Sequence, residues 1–242
     1  MNLVIIAAGQ GSRIRSSSGG IPKSLIKIKG KSIIDYLLEN GKRIGVKKFI
    51  IVTGYRSKLI VDYLNQFDFQ VNIEVVENTQ WELANGVSVL VAQSVVPKDE
   101  PFLLSMSDHL YDHHLLKKIA ESSLENSIVN VGIDYKINEI FDIDDGMKVV
   151  VNNKRDSQIS NMSKNLKEYD AIDCGVFKCD YSFFNIVKES CKNNNFSLSD
   201  ACNILIQRKE LVGIDINKSV WFDVDTPETL QHCKNNFHLL DY

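Results

Sequence analysis

The stretch that most constrains this chain is residues 3–25, LVIIAAGQGSRIRSSSGGIPKSL. Leu3 to Ala7 form an unbroken apolar run that ends in a glycine-rich, basic loop. An apolar run of this length before such a loop reads as a buried strand of a parallel sheet. The loop after it is where such a sheet brings backbone N–H groups to a phosphate. Gly9 and Gly11 carry no Cβ to hold the main chain away from a ligand. Arg13 and Lys23 supply positive charge, and Pro22 stiffens the turn before Lys23. The loop has the composition of a triphosphate cradle.

Two familiar phosphate loops do not fit. A dinucleotide fold wants G-x-G-x-x-G, but Gly9 and Gly11 are followed by Ile14 where the third glycine belongs. A Walker loop wants a glycine followed by Lys, and Gly20 is followed by Ile21. What stands here is A-A-G-x-G-S-R, followed about ten residues later by P-K-x-L.

A chain of 242 residues can bury a substantial core as one α/β domain. The net charge of −3 argues against general nucleic-acid binding, while leaving room for a local basic pocket. No apolar run approaches the roughly 18 residues that span a bilayer. A signal peptide is not expected either, since no basic region precedes Leu3. The five cysteines, 174, 179, 191, 202 and 233, include no C-x-x-C pair. They read as reduced core thiols, and the expected location is the cytoplasm. His113 and His114 are adjacent and would diverge on a helix, so they are not read as a metal pair.

Strands and helices then alternate. Ser24 to Ile28 reads as a short strand, and Ser32 as the cap of a helix with Ile33, Ile34, Leu37 and Leu38 on one face. Phe49 to Val52 and Val71 to Val76 read as strands around a helix bearing Leu59, Ile60, Tyr63 and Leu64. This rhythm predicts a parallel sheet wound on both faces. In ENTQWELANGVSVLVAQ, residues 77–93, Asn85-Gly86 reads as a turn and Val87 as the beginning of a helix. Loops at the carboxyl ends of strands line the ligand crevice of such a sheet. Asn85, Gly86 and Ser88 could therefore meet a nucleobase, or they could simply start a helix.

Pro101 to Met106 reads as another buried strand, ending in Ser107-Asp108-His109. Asp108, at the end of a central strand facing the phosphate loop, is well placed to hold Mg²⁺, or it could simply cap a following helix. If strand alternation continues, His109 faces away from Asp108 and is not a general base. Residues 127–178 change character, with strand-like pieces joined by polar turns such as Asp144-Asp145-Gly146. Asp173 and Gly175 lie there on an apolar strand, where the acid could bind hydroxyls or sit on a surface loop. Finally, WFDVDTPETL, 221–230, reads as a strand running into a helix. Asp223 and Asp225 share a face, Thr226 is the cap and Pro227 the first helical residue.

Together AAGQGSR, PKSL, MSDH and WFDVDTPE span nearly the whole chain. They resemble the nucleotidyltransferases of the sugar-nucleotide pyrophosphorylase superfamily. MSDHLYD, ANGVSVL, SKNLKEYDAIDCGVF and WFDVDTPETL are most similar to its CTP:inositol-1-phosphate cytidylyltransferase branch. The resemblance implies a Rossmann-like, doubly wound, mostly parallel α/β sheet in one domain, 1–242. The antiparallel subregion at 127–178 would cover the acceptor site. It implies CMP transfer from CTP to a small phosphorylated polar acceptor, with release of pyrophosphate and dependence on Mg²⁺. Ala7, Ala8, Gly9, Gly11, Ser12, Arg13, Lys23, Asn85, Gly86 and Ser88 would bind the nucleotide. Asp108 and Asp223 would hold the metal, with Asp225 beside them, and Asp173 and Gly175 would face the acceptor. Asp225 stands where sugar-nucleotide relatives carry Gly, and Ser24 where proline is common. Acceptors such as phosphocholine, a phosphonate, a phosphoamino acid like phosphoglutamine, or a sugar 1-phosphate remain alternatives. So does a nucleotide sensor that performs no chemistry. The oligomeric state, with a homodimer among the options, is left open.

Overall fold

A computed structural model describes residues 1–15, 19–98, 100–153 and 157–240. Residues 16–18 of the glycine-rich loop lie outside the described residues. In chain order the strands are β1 (Asn2–Ala7), β2 (Lys27–Ile28), β3 (Lys31–Ser32), β4 (Lys48–Thr53), β5 (Asn72–Glu77), β6 (Phe102–Met106), β7 (His109–Tyr111), β8 (Val129–Asp134), β9 (Lys148–Val151), β10 (Ile159–Ser163), β11 (Ala171–Cys179), β12 (Leu211–Asp215) and β13 (Trp221–Asp223). The helices are α1 (Ile33–Arg43), α2 (Ser57–Gln66), α3 (Asn85–Ala92), α4 (His113–Glu121), α5 (Phe183–Lys192), α6 (Leu198–Arg208) and α7 (Pro227–Asn236).

The N-terminal apolar run is buried throughout because β1 lies between two parallel neighbours, β4 and β6. Its side chains alternate between two cores. Leu3 and Ile5 join the apolar faces of α1, α2 and α4, whereas Val4 and Ile6 join those of α3, α5 and α6. A nine-stranded sheet runs in the order β10-β9-β11-β6-β1-β4-β5, with β8 pairing β11 and β12. Only β11 interrupts the parallel order of the sheet's middle, running antiparallel to both β6 and β8. The result is the expected Rossmann-like, mostly parallel α/β fold. Residues 127–178 are less separate than the sequence suggests. β8 and β11 belong to the main sheet, and the β9–β10 hairpin extends it along the free half of β11.

From β1 the chain steps outward to β4 and β5, then crosses to the other side of β1 to form β6. The carboxyl ends of β1 and β6 therefore open a crevice at the reversal point of the sheet, where ligands bind in folds of this kind. Local chemistry sets the elements around it. Ser32 and Asp35 close a capping box at the start of α1, and Thr226 and Thr229 do so for α7, with Pro227 at its first helical position.

Two local expectations need correction. Ser24 to Ile28 is not one strand: Lys23–Leu25 form a 3₁₀ turn held by Leu25 N donating to Pro22 O, and only Lys27–Ile28 find a partner, in β3. The Asn85-Gly86 turn is instead the first turn of α3, with Ala84 at the cap position. Among the described residues, no helix is long and apolar enough to cross a membrane. All five cysteines are free thiols.

Gly41 sets the distance between α1 and the sheet. A Cβ there would lie 2.4 Å from the Phe49 ring. Gly41→Ala, which in an exposed helix would stabilise by about 1 kcal/mol, should instead destabilise by about 1–3 kcal/mol in urea unfolding, the range for overpacking. A stabilised variant would contradict this packing.

Candidate active site

The acids are gathered by a short ladder outside the main sheet. β7, just beyond Asp108, pairs antiparallel with β13, so that His109 sits opposite Asp223 and Tyr111 opposite Trp221. Val224 N donates to Asp108 O at 2.9 Å, extending the register by one more bond. Ligand atoms of Asp108, His109 and Asp223 thereby come within 4.8 Å of one another. Asp145, Asp223 and Asp225 form a second such group.

The loop cations lie on these acids. Lys23 Nζ is 3.0 Å from Asp108 Oδ2 and also pairs with Asp225. Arg13 pairs with Asp225 and lies 2.5 Å from Asp145, which Lys164 contacts at 2.9 Å. The stem of Lys23 passes against Gly11, whose φ of +61° and 2.7 Å clearance to the Lys23 Cγ leave no room for a side chain.

These neighbours split the titration of the acids. Burial alone would raise the Asp108 carboxyl, but the Lys23 charge and the His109 hydrogen bond outweigh it and hold Asp108 well below the usual carboxylate range. Burial pushes Asp223 up, with the Asp108 charge adding to it against the pull of His109, Lys23 and Arg13. Its Oδ1 is buried with no hydrogen-bond partner. A buried, partnerless carboxylate oxygen beside a second carboxylate is the donor set a divalent cation takes. Burial opposes the charged form of His109, yet Asp223, Asp108 and Asp173 together raise it to about 9.

His109 corrects the expectation that it faces away from Asp108. Its Nδ1 lies 3.0 Å from Asp108 Oδ1. Asp108 sits in the turn between β6 and β7 and not on a strand, so the two-residue alternation does not reach it. The ring lies against Gly175, where a Cβ would come within 2.7 Å of it and where φ is +71°.

A cavity of about 280 Å³ meets Asp223 from the side of Trp221 and Asp134, and two more that border the cluster are lined by the expected site residues. One of about 120 Å³ is lined by Ala7, Gly9, Gly11, Lys23, Asn85 and Ser88, with Asp108 at its inner end. The other, of about 220 Å³, is lined by Asp108, Asp173, Gly175, Asp223 and Asp225. Ala8 is buried and its carbonyl accepts from Tyr55 N, while Ser12 opens on an outer hollow beside Trp81. Gly86 lines neither cavity. Its N–H donates to Phe196 O at 2.9 Å, and an added Cβ would lie 2.6 Å from that oxygen. The close approach Gly86 permits here is to the chain's own backbone at Phe196 and Ser197. Asn85 and Ser88 have internal partners as well, Leu198 N and Asn78 Nδ2.

Sequence reasoning missed Asp145, Lys164 and Trp81. Asp145 reads as one of several turn acids and Lys164 as one of many surface lysines, and nothing local marks their pairing with each other or with Arg13. Trp81 carried a signal, an apolar ring in an otherwise polar loop, and it forms a wall of the smaller cavity.

This crevice, loop and acid cluster define a nucleotidyltransferase domain. Residues 3–137 match the family described as the MobA-like NTP transferase domain, and the chain belongs to that family. More specific likenesses run the full length. The chain is 29% identical over 234 residues to the "Bifunctional IPC transferase and DIPP synthase" of Aquifex aeolicus (strain VF5), covering 96% of this chain and 50% of that protein. It is 31% identical to the protein of the same name from Thermococcus kodakarensis (strain ATCC BAA-918 / JCM 12380 / KOD1), covering 96% and 49%. The chain thus spans about half the length of the curated relatives it matches. Among solved structures, the inositol-1-phosphate CTP transferase from T. maritima superposes with a TM-score of 0.85 at 26% identity, covering 98% of this chain and 94% of that one. A UDP-glucose pyrophosphorylase complexed with UDP-glucose shares the fold, with a TM-score of 0.81 at 20% identity and 98% of each chain covered.

Asp173 Oδ1 accepts from Gly175 N at 2.7 Å, yet burial still pushes this carboxyl up to about 6. Between the unfolded value near 4 and about 6, the folded protein keeps a proton that the unfolded chain has released. Stability therefore falls as pH rises through that window. Asp173→Asn should raise stability at pH 7 by about 1–3 kcal/mol, and the gain should disappear below about pH 4. Urea unfolding at both pH values checks this, and a gain independent of pH would contradict it.

Proposed function

We propose that the protein is a cytidylyltransferase: it transfers CMP from CTP to a small phosphorylated polar acceptor of the inositol-1-phosphate kind and releases pyrophosphate. The observation that carries this is the convergence of Asp108 and Asp223 beside Lys23 at the mouth of the glycine loop. The full-length likeness to an inositol-1-phosphate CTP transferase supports the choice of nucleotide and acceptor.

In this reading the cavity of about 120 Å³ takes the nucleotide and that of about 220 Å³ the acceptor. Amides of the Gly9–Ser12 stretch and the Arg13 guanidinium bind the β- and γ-phosphates, and Lys23 meets the α-phosphate. Asn85 and Ser88 border the base, and Asp173 accepts from acceptor hydroxyls. A phosphate oxygen of the acceptor forms a bond to the α-phosphorus of CTP as the bond to the bridging oxygen of pyrophosphate breaks. The nucleophile is already an anion, since a phosphate monoester loses its second proton near pH 6. His109, raised to about 9, keeps its own proton at neutral pH and has none to accept. The chain's work is therefore positioning and charge neutralisation.

Asp108 and Asp223, with Asp225 beside them, would hold a divalent cation, taken to be Mg²⁺. Bound there, it would neutralise charge developing on the phosphates. Lys23 rests on Asp108 and Asp225, and Arg13 on Asp225, so these cations and acids compensate one another.

Asp108→Ala and Asp223→Ala should each lower turnover about a thousandfold while the protein stays folded, a loss of several kcal/mol of barrier stabilisation. Pyrophosphate release with CTP, Mg²⁺ and inositol 1-phosphate measures it, and near-normal turnover in either variant would sink the assignment. Mass-spectrometric competition among nucleotides should show CTP preferred over UTP by about tenfold to a hundredfold, the cost of one buried unpaired polar group. Equal or better use of ATP or GTP would overturn the nucleotide assignment.

A further inference from the structure

We propose that Asp134 is a positioning residue for the acid Asp223, acting through the indole of Trp221. This rests on the reading of Asp223 as a metal-holding acid given above.

Asp134 ends β8, is 3% exposed, and lies outside the acid cluster. Both of its oxygens are committed. Oδ2 accepts from Trp221 Nε1 at 3.0 Å. Oδ1 accepts from Lys136 N at 2.8 Å and from Lys136 Nζ at 2.7 Å. The same ammonium donates onward to Asn217 O at 2.7 Å and Ser219 O at 3.4 Å. A buried carboxylate that uses both oxygens this way orders its donors, because leaving either oxygen unpaired would carry its full desolvation cost.

Trp221, which donates to Asp134 directly, and Asn217 and Ser219, whose carbonyls accept from Lys136, belong to the chain segment that delivers Asp223. Asn217, Ser219 and Trp221 immediately precede it, and Asp112 Oδ2 secures Val220 N between them at 2.9 Å. Trp221 then touches the cluster directly. Its ring lies parallel to that of His109, with centroids 5.6 Å apart and planes within 3°. His109 is the ladder partner of Asp223 and contacts Asp108. One indole is therefore fixed at its N–H end by Asp134 while its face sets the imidazole between the two acids. Without Asp134 the indole N–H loses this acceptor, and ring, imidazole and Asp223 lose their common reference to the sheet. The pattern is that of outer groups that orient metal ligands, whose loss costs 10–100-fold in metal affinity.

The test is Mn²⁺ binding to the full chain without substrates, followed by electron paramagnetic resonance, alongside thermal unfolding and steady-state kinetics. Asp134→Ala should weaken Mn²⁺ affinity about tenfold or more and lower kcat while leaving the KM for CTP within about twofold. Trp221→Phe keeps a ring against His109 but loses the N–H, and should weaken Mn²⁺ by a smaller factor. Asp134→Asn keeps an oxygen for the indole and should restore most of the affinity lost in Asp134→Ala. A folded Asp134→Ala or Trp221→Phe protein with unaltered Mn²⁺ affinity, lower melting temperature or not, would overturn the proposal. Asp223→Ala is the control. If it too binds Mn²⁺ as the wild type does, the reading of Asp223 itself fails; if it alone loses Mn²⁺, only the role of Asp134 does.

Discussion

Everything at the crevice depends on the pairing of β7 with β13. The glycine loop and Asp108 are delivered by adjacent strands of one sheet, so their proximity follows from the fold. Asp223 comes from a segment near the other end of the chain, and only this short ladder sets it opposite His109. The ladder is too small to be stable alone. It is held because Tyr111 and Leu110 are buried in the core beneath it, and because Asp112, Lys136 and Asp134 bind the approach to β13.

Charge balance is the second constraint. Several carboxylates sit within reach of one another, and burying them without compensation would cost several kcal/mol per ion. Lys23, Arg13 and a protonated His109 supply it. The residual imbalance is felt at Asp223 and Asp173, both pushed upward by burial. Such separation of pKa values among neighbouring acids marks a site that a cation and a polyanion can complete together. Asp173 shows the stability cost of this arrangement, since a neutral amide there should fold better than the acid.

Much of this was readable from the sequence because it is local. The β1 strand and its loop, the caps at Ser32 and Thr226, and the acids 108 and 223 are encoded within a few residues of themselves. What was not readable depends on partners far along the chain. Asp145 is an ordinary turn acid until Arg13 and Lys164 meet it. Gly86 has the surroundings of a ligand glycine, yet the backbone that fills its space belongs to Phe196 and Ser197. The direction of His109 is not legible because a turn at Ser107-Asp108 breaks the strand alternation before it. Ser24 to Ile28 failed as a strand because local 3₁₀ bonding satisfied its backbone before any neighbour could.

We expect CTP and a metal to displace the internal ion pairs, taking Lys23 and Arg13 onto phosphate and leaving the acids to the cation. A crystal structure with CTP and Mn²⁺, with the metal located by anomalous scattering, tests it most directly. The expected result is an anomalous peak in contact with both Asp108 and Asp223, and Arg13 turned from Asp145 and Asp225 to the nucleotide phosphates. Metal bound away from Asp223, or Arg13 and Lys23 still paired with the acids beneath a bound nucleotide, would contradict it.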